Sequence, residues 1–167
     1  MEKRVDYAKV SPGAVRAMLG LEHHTRQSSL EPSLLELVKM RASQINGCAY
    51  CLDMHSKDAR AEGESEQRLY VLSAWREAPF YSPRERAALA WTEAVTEIAR
   101  GGVSDELYRK VREHFDEKEL ADLTLAVVAI NGWNRLAVAL GADVGSYSPR
   151  AAHAAARPAE PAAERLW

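Results

Sequence analysis

The chain has 167 residues, of which 47% are hydrophobic and 28% charged, and its formal net charge is −2. These proportions are typical of one globular domain with a hydrophobic core, and the absence of a basic excess argues against nucleic acid or an anionic membrane as a partner. The first residues lack the apolar core of a signal peptide, and the longest apolar run is too short to span a bilayer, so we expect a cytoplasmic protein.

Nearly every periodic segment of the chain is typical of a helix, and no alternating β-branched run indicates a sheet. Ser82 and Glu85 form a capping-box pattern at the start of one helix, while Asn46 and Gly47 separate two others. The architecture we expect is an all-α helical bundle of about six helices after a short first one. The predicted ranges are 12–20, 32–45, 48–61, 65–76, 82–100, 104–115 and 116–140.

The last of these helices is apolar on every side between residues 123 and 130. A helix of this kind must be covered on every side, which a small helical protomer achieves most easily by associating with copies of itself. We therefore expect an oligomer. From residue 148 the composition shifts to Ala, Pro and Arg, so we expect a helical domain over residues 1–147 and an Ala/Pro-rich tail over 148–167.

The most informative motif is formed by Cys48, Cys51 and His55; the two cysteines are the only ones in the chain. In a helix, residues at i, i+3 and i+7 lie within a stripe roughly 60° wide. Residues at i and i+3 are about 5–6 Å apart, which is within the range that a disulfide bridges. Two thiols that can join, next to an imidazole that can accept a proton, indicate a redox or peroxide-reducing site.

A zinc site is the alternative interpretation, because Cys48, Cys51, His55 and one carboxylate could supply four ligands. Structural zinc sites usually join two separated ligand pairs, however, and the chain has no second cysteine pair. His23 and His24, which we place in a loop, could contribute ligands, although adjacent histidines are more often merely exposed. The spacing therefore favours redox chemistry over metal binding.

Glu36 is the fourth candidate residue of the site. Ser33 and Glu36 fit a capping box, which would make Glu36 a helix cap. If Pro32 is instead the first helical residue, Glu36 lies one turn inside the helix and can turn inward. The break at Gly47 would then bring it near His55, where a carboxylate would orient the imidazole and raise its basicity.

The segment 36–55 resembles the signature of the carboxymuconolactone decarboxylase superfamily, and within it the alkylhydroperoxidase D-like (AhpD-like) branch. The agreement covers the spacing of Glu36, Cys48, Cys51 and His55, and it extends to the segments 82–91 and 129–135. The resemblance implies an all-α fold that forms homo-trimers or homo-hexamers, of which we favour the hexamer. It also implies a peroxidase that needs no cofactor, neither haem nor metal.

The mechanism implied by the resemblance has Glu36 and His55 relaying a proton from Cys51, whose thiolate attacks an organic hydroperoxide. Cys48 then closes the disulfide, and a dithiol partner, in the characterised system a lipoyl-bearing protein, reduces it. The helix dipole would favour Cys48 as the more acidic thiol. We assign the attack to Cys51, because a positioned base provides both activation and a route for the proton.

Two features limit the resemblance. Some characterised members carry a histidine between the cysteines, where this chain has Tyr50, and this departure bears on the rate or route of proton transfer. Those members also have an extra helical half. Two other functions stay open beside the peroxidase: a non-catalytic zinc- or ligand-binding module, and a cofactor-free decarboxylase that uses Glu36 and His55. The cysteine pair argues against the decarboxylase, because the decarboxylases of the superfamily generally lack it.

Overall fold

The computed structural model of the chain describes residues 3–149, and within them it contains helices and no strand. The all-α prediction is confirmed, with more elements than the six or so expected. Most of the predicted tail, residues 150–167, lies outside the described residues. The helices are α1 (Tyr7–Val10), α2 (Pro12–Arg26), α3 (Pro32–Asn46), α4 (Ala49–Ala61), α5 (Glu66–Tyr70), α6 (Pro83–Thr96), α7 (Asp105–Arg112) and α8 (Glu117–Leu140).

Three predicted boundaries were wrong. Helix α2 continues six residues beyond its predicted end, so His23 and His24 lie in a helix and not in a loop. The segment 65–76 does not form one helix, because α5 ends at Tyr70 and a 3₁₀ turn, Leu72–Ala74, follows it. The segment 82–100 is likewise divided into α6 and a 3₁₀ turn, Ile98–Arg100. Packing of Leu72 into the core, where it is fully buried, overrides the local periodicity in the first of these segments.

Helix α8 lies in the middle of the bundle, packed against α2, α3, α4, α6 and α7. Its apolar middle explains this position, because Leu123, Val127 and Ile130 are buried against the neighbouring helices. Among residues 3–149, α8 is also the one helix long and apolar enough to cross a membrane. The core helix of a bundle meets the same criteria, so this finding is weak evidence for a membrane segment.

The turn between α3 and α4 brings two parts of the predicted motif together. Gly47 has a φ of 65°, a left-handed conformation that favours glycine, and it ends α3. The next amide, of Cys48, donates to the carbonyl of Ser43 at 3.0 Å, which completes a Schellman-type helix end. The chain therefore reverses direction within a few residues, and α4 packs against α3 as a hairpin.

Candidate active site

Glu36 and His55 form a buried hydrogen-bonded pair across the α3–α4 hairpin. Helix α3 begins with Pro32 in its first turn and with Glu31 at the N-cap, so the capping box between Ser33 and Glu36 does not form. Glu36 lies further along the helix and points inward, with its Oε2 atom 2.7 Å from Nδ1 of His55. The structure therefore has the second of the two arrangements that the sequence left open.

The electrostatics of this pair fix the orientation of the imidazole. Burial opposes ionisation of Glu36, but the hydrogen bond from His55 and nearby positive charge, including that of Lys39, outweigh it and lower the pKa of Glu36 to about 2. An ionised carboxylate can only accept hydrogen bonds, so Nδ1 of His55 carries the proton that it donates. The Nε2 atom of a neutral His55 is then free to accept a proton.

The two cysteines lie at the start of α4 and share a hydrogen bond. Cys48 is the N-cap residue, and its sulfur accepts the backbone amide of Cys51 at 3.4 Å. The neighbouring Cys51 thiol lowers the pKa of Cys48 to about 7, although burial opposes the shift. The neighbouring Cys48 sulfur, together with burial, raises the pKa of Cys51 well above its ordinary value. Of the two thiols, Cys48 is therefore the more acidic, as the helix dipole favours.

Access to the two thiols differs. A cavity of about 270 Å³ opens beside α4, and both Cys51 and His55 line it, whereas Cys48 does not. The other lining residues are mainly aromatic or apolar, with charged side chains at Glu22, Arg26 and Asp58. The complete lining consists of Tyr7, Leu19, Glu22, Arg26, Tyr50, Cys51, Met54, His55, Asp58, Trp133, Ala137 and Tyr147. A small molecule in this cavity would meet Cys51 and not Cys48.

Lys39 carries a charge that lies wholly inside the protein. Its side chain is 1% exposed, and its Nζ atom lies 2.5 Å from Glu22 Oε1 and 3.6 Å from Glu36 Oε1. Glu22 Oε1 also accepts from Arg26 Nε at 3.1 Å, at the edge of the cavity. The charges therefore alternate in sign along a chain of contacts that runs through Arg26, Glu22, Lys39 and Glu36. This arrangement compensates the buried carboxylate that holds His55.

The segment 129–135, which also carries the family resemblance, lies in α8 close to the two cysteines. Asn134 is buried, and its amide donates to Ser43 Oγ at 3.0 Å while its oxygen accepts from Asn46 Nδ2 at 2.8 Å. The nearby Asn134 side chain also acts to lower the pKa of each cysteine thiol. These contacts tie α8 to the end of α3, directly before the turn that positions the cysteines.

A metal ion could be held by Glu36, His55 and Asp58, whose ligand atoms lie within 4.8 Å of one another. Within residues 3–149 this is the one group of three potential ligands, and it does not include the cysteines. The site is thus not the cysteine-based zinc site considered from the sequence. One oxygen atom of each carboxylate already has a partner, because Glu36 Oε2 accepts from His55 and Asp58 Oδ1 accepts from the Tyr147 hydroxyl at 2.7 Å.

Sequence reasoning selected Glu36, Cys48, Cys51 and His55, and the structure brings all four to the α3–α4 hairpin. It missed three residues that complete the site. Lys39 is three positions after Glu36, and Asp58 is three positions after His55, so helical periodicity could have identified both. For Tyr147, which lies outside the helices, the sequence carries no such signal.

The division of charge between the thiols can be tested by titration. Thiolate absorbance of the reduced protein should rise with a midpoint near pH 7, because the pKa of Cys48 is lowered to about 7. In Cys48→Ser this transition should disappear, leaving only ionisation at higher pH. A transition near pH 7 that persists in Cys48→Ser and is lost in Cys51→Ser would instead assign the resting thiolate to Cys51.

Comparison with known proteins agrees with the family resemblance seen in the sequence. Residues 12–94 match the carboxymuconolactone decarboxylase family. The uncharacterized protein YdfG of Bacillus subtilis is 50% identical over 141 residues, which are 84% of this chain and 96% of YdfG. A crystal structure of a protein of unknown function from Agrobacterium tumefaciens, which bears the name antioxidant defence protein AhpD, is 44% identical with a TM-score of 0.84. It matches over 87% of this chain and 100% of its own length.

The same fold also occurs at lower identity. The debrominase Bmp8 is 21% identical with a TM-score of 0.73, over 84% of this chain and 75% of Bmp8. At this level the likeness concerns the fold alone. Because proteins with one fold carry out different reactions, the reaction has to be argued from the site.

Proposed function

Because the chain belongs to the carboxymuconolactone decarboxylase family, in its AhpD-like branch, we propose that it is a thiol-dependent peroxidase that reduces organic hydroperoxides. Its redox couple would be the Cys48–Cys51 pair. The observation that carries the proposal is the shared cavity: Cys51 and His55 line it together, and Glu36 holds His55 from behind at 2.7 Å. In the proposed reaction Cys51 is the nucleophile and His55 is the oriented base, and both border one cavity.

In the first step, Nε2 of His55 accepts the proton of the Cys51 thiol. A base is needed there, because burial and the neighbouring sulfur raise the pKa of Cys51. The Cys51 thiolate attacks the hydroperoxide, so that an S–O bond forms while the O–O bond breaks. The departing alkoxide takes the proton back from His55 and leaves as an alcohol. Cys51 is then a sulfenic acid, and the peroxide has accepted two electrons.

In the second step, Cys48 attacks the sulfur of the Cys51 sulfenic acid. With a pKa of about 7, Cys48 is partly thiolate at neutral pH, which suits an attacking group that needs no further base. The S–S bond forms as the S–O bond breaks, and the hydroxide leaves as water after taking up a proton equivalent to the one that the Cys48 thiol lost when it ionised. The different pKa values of the thiols thus match different roles, attack by Cys51 and resolution by Cys48.

The enzyme returns to its dithiol form when an external dithiol reduces the disulfide by exchange. A lipoyl-bearing protein would supply such a dithiol, and a reducing compartment such as the cytoplasm would keep the pair active. In each cycle two electrons pass from the external dithiol through the Cys48–Cys51 pair to the hydroperoxide, so the reaction as written requires no metal or organic cofactor.

We also propose that the protein acts as a homo-oligomer, a trimer or hexamer with the hexamer favoured. Two valines of α8, Val128 and Val138, are 49% and 40% exposed although the helix lies at the centre of the bundle. A second copy of the chain would cover these side chains, as the apolar middle of the helix requires.

Turnover of cumene hydroperoxide, with dihydrolipoamide as the dithiol, tests the proposed function. The wild-type protein should consume the hydroperoxide, and Cys51→Ser should abolish consumption. Stoichiometric zinc in protein purified under reducing conditions, together with no turnover, would favour the binding module. Lactone decarboxylation that survives in Cys51→Ser would favour the decarboxylase that uses Glu36 and His55.

A further inference from the structure

The cavity has one wall that differs from the others. Of its lining residues, Tyr147 alone lies outside the helices, in the segment after α8. All the others lie in α1, α2, α4 or α8, whose positions are fixed by packing in the bundle. The position of Tyr147 depends instead on the local contacts of its own segment.

Three hydrogen bonds attach this segment to α4. The amide of Gly145 donates to Asp53 Oδ2 at 3.2 Å, and Lys57 Nζ donates to the Tyr147 carbonyl at 3.2 Å. The Tyr147 hydroxyl donates to Asp58 Oδ1 at 2.7 Å. Asp58 is buried beside His55 and takes no part in the proposed reaction, so its contact with Tyr147 gives it a role. The phenol ring is thus fixed at the cavity wall by its hydroxyl and by its backbone.

The cavity is small for a ligand site, since sites for drug-sized molecules occupy about 300–1,000 Å³. A hydroperoxide with its O–O group at Cys51 would place its organic part against apolar side chains such as Met54 and Trp133. The ring of Tyr147 lies along the same cavity and takes up space that a larger organic group would need.

We propose that Tyr147 is a specificity-determining residue of this site, which restricts it to compact organic hydroperoxides and excludes long-chain ones. This inference rests on the proposed function. Tyr147 both contacts a compact substrate and limits its size. The hydrogen bond of the Tyr147 hydroxyl to Asp58 adds to the backbone contact with Lys57 in holding the ring in place.

Two hydroperoxides of different size test the proposal: tert-butyl hydroperoxide and methyl linoleate hydroperoxide. In Tyr147→Ala, the ratio of kcat/KM for the long substrate to that for the compact one should rise by about 10-fold or more, in the range that pocket size determines. Tyr147→Phe, which keeps the ring, should change this ratio much less. Tyr70→Ala is the matched control, because the Tyr70 hydroxyl also donates to a carboxylate, that of Glu66, but on the surface.

An unchanged ratio in folded Tyr147→Ala would overturn the proposal. If this variant does not fold, Tyr147→Leu, which keeps a side chain that can pack, provides the same comparison. Binding of 2-phenyl-2-propanol, measured by calorimetry, needs no turnover and separates this inference from the proposed function. Its affinity should fall about 2- to 10-fold in Tyr147→Ala, through the loss of aromatic contact, and stay unchanged in Tyr70→Ala. Equal affinity in wild type and Tyr147→Ala would contradict the inference even in a protein without peroxidase activity.

Discussion

His55→Ala is expected to slow hydroperoxide reduction near neutral pH by about 10²–10⁴-fold, the usual cost of losing a positioned general base. The neighbouring Cys48 sulfur and burial raise the pKa of Cys51, so this thiol ionises poorly without help. Much of the deficit should return at high pH, where hydroxide removes the proton. Initial rates of hydroperoxide consumption measured against pH in wild type and variant provide the test.

The same prediction extends to Glu36, whose carboxylate accepts the Nδ1 proton of His55. Glu36→Gln should also slow the reaction, and the double variant with His55→Ala should lose far less than the product of the two single effects, because residues that act as one unit are non-additive. His24→Ala is the matched control, since His24 lies 3.2 Å from the Asp122 carboxylate, and neither residue lines the cavity. Unchanged rates in both His55→Ala and Glu36→Gln would remove the relay from the mechanism.

Lys39→Met is expected to lower the free energy of unfolding by about 3–5 kcal/mol, the typical cost of removing one partner from a buried ion pair. The substitution keeps an unbranched side chain but leaves the carboxylates of Glu22 and Glu36 without their shared cation. Adding Glu22→Gln removes one of these charges and should recover part of the loss. Urea denaturation of the three proteins measures the differences.

Lys110→Met is the control for the effect of burial. Lys110 pairs with the Glu106 carboxylate at 2.7 Å, and the two side chains are 66% and 70% exposed. Exposed pairs contribute little, so this variant should lose less than about 1 kcal/mol. If Lys39→Met lost no more than Lys110→Met, the alternating charges behind Glu36 would have no structural importance.

The central part of the site could be predicted because it is local in sequence. Cys48, Cys51 and His55 lie on one helix, where a three- and four-residue spacing alone puts side chains on one stripe. Because the chain turns at Gly47, contact between Glu36 and His55 could be predicted as one of two possibilities, the other being Glu36 as a helix cap. The choice between them depended on whether Pro32 was the first helical residue or Ser33 was the N-cap, and helix ends are decided by one or two residues.

The parts that could not be predicted depend on contacts between distant segments. Glu22 reaches Lys39 because α2 and α3 both pack against α8, and Tyr147 reaches Asp58 because the chain returns to α4 after α8. The difference in pKa between the two thiols was equally hidden, because it depends on how the thiols meet and on their burial. Spacing shows which residues share a face, but not which neighbours they meet.

The most direct test of the central claim is a count of free thiols, with mass spectrometry, before and after one equivalent of organic hydroperoxide. We expect the reduced protein to lose both thiols for each hydroperoxide consumed. The peptide containing Cys48 and Cys51 should then be lighter by the mass of two hydrogen atoms, as an intramolecular disulfide requires. Thiols that remain free while the hydroperoxide stays intact, or disulfides found only between separate chains, would contradict the account.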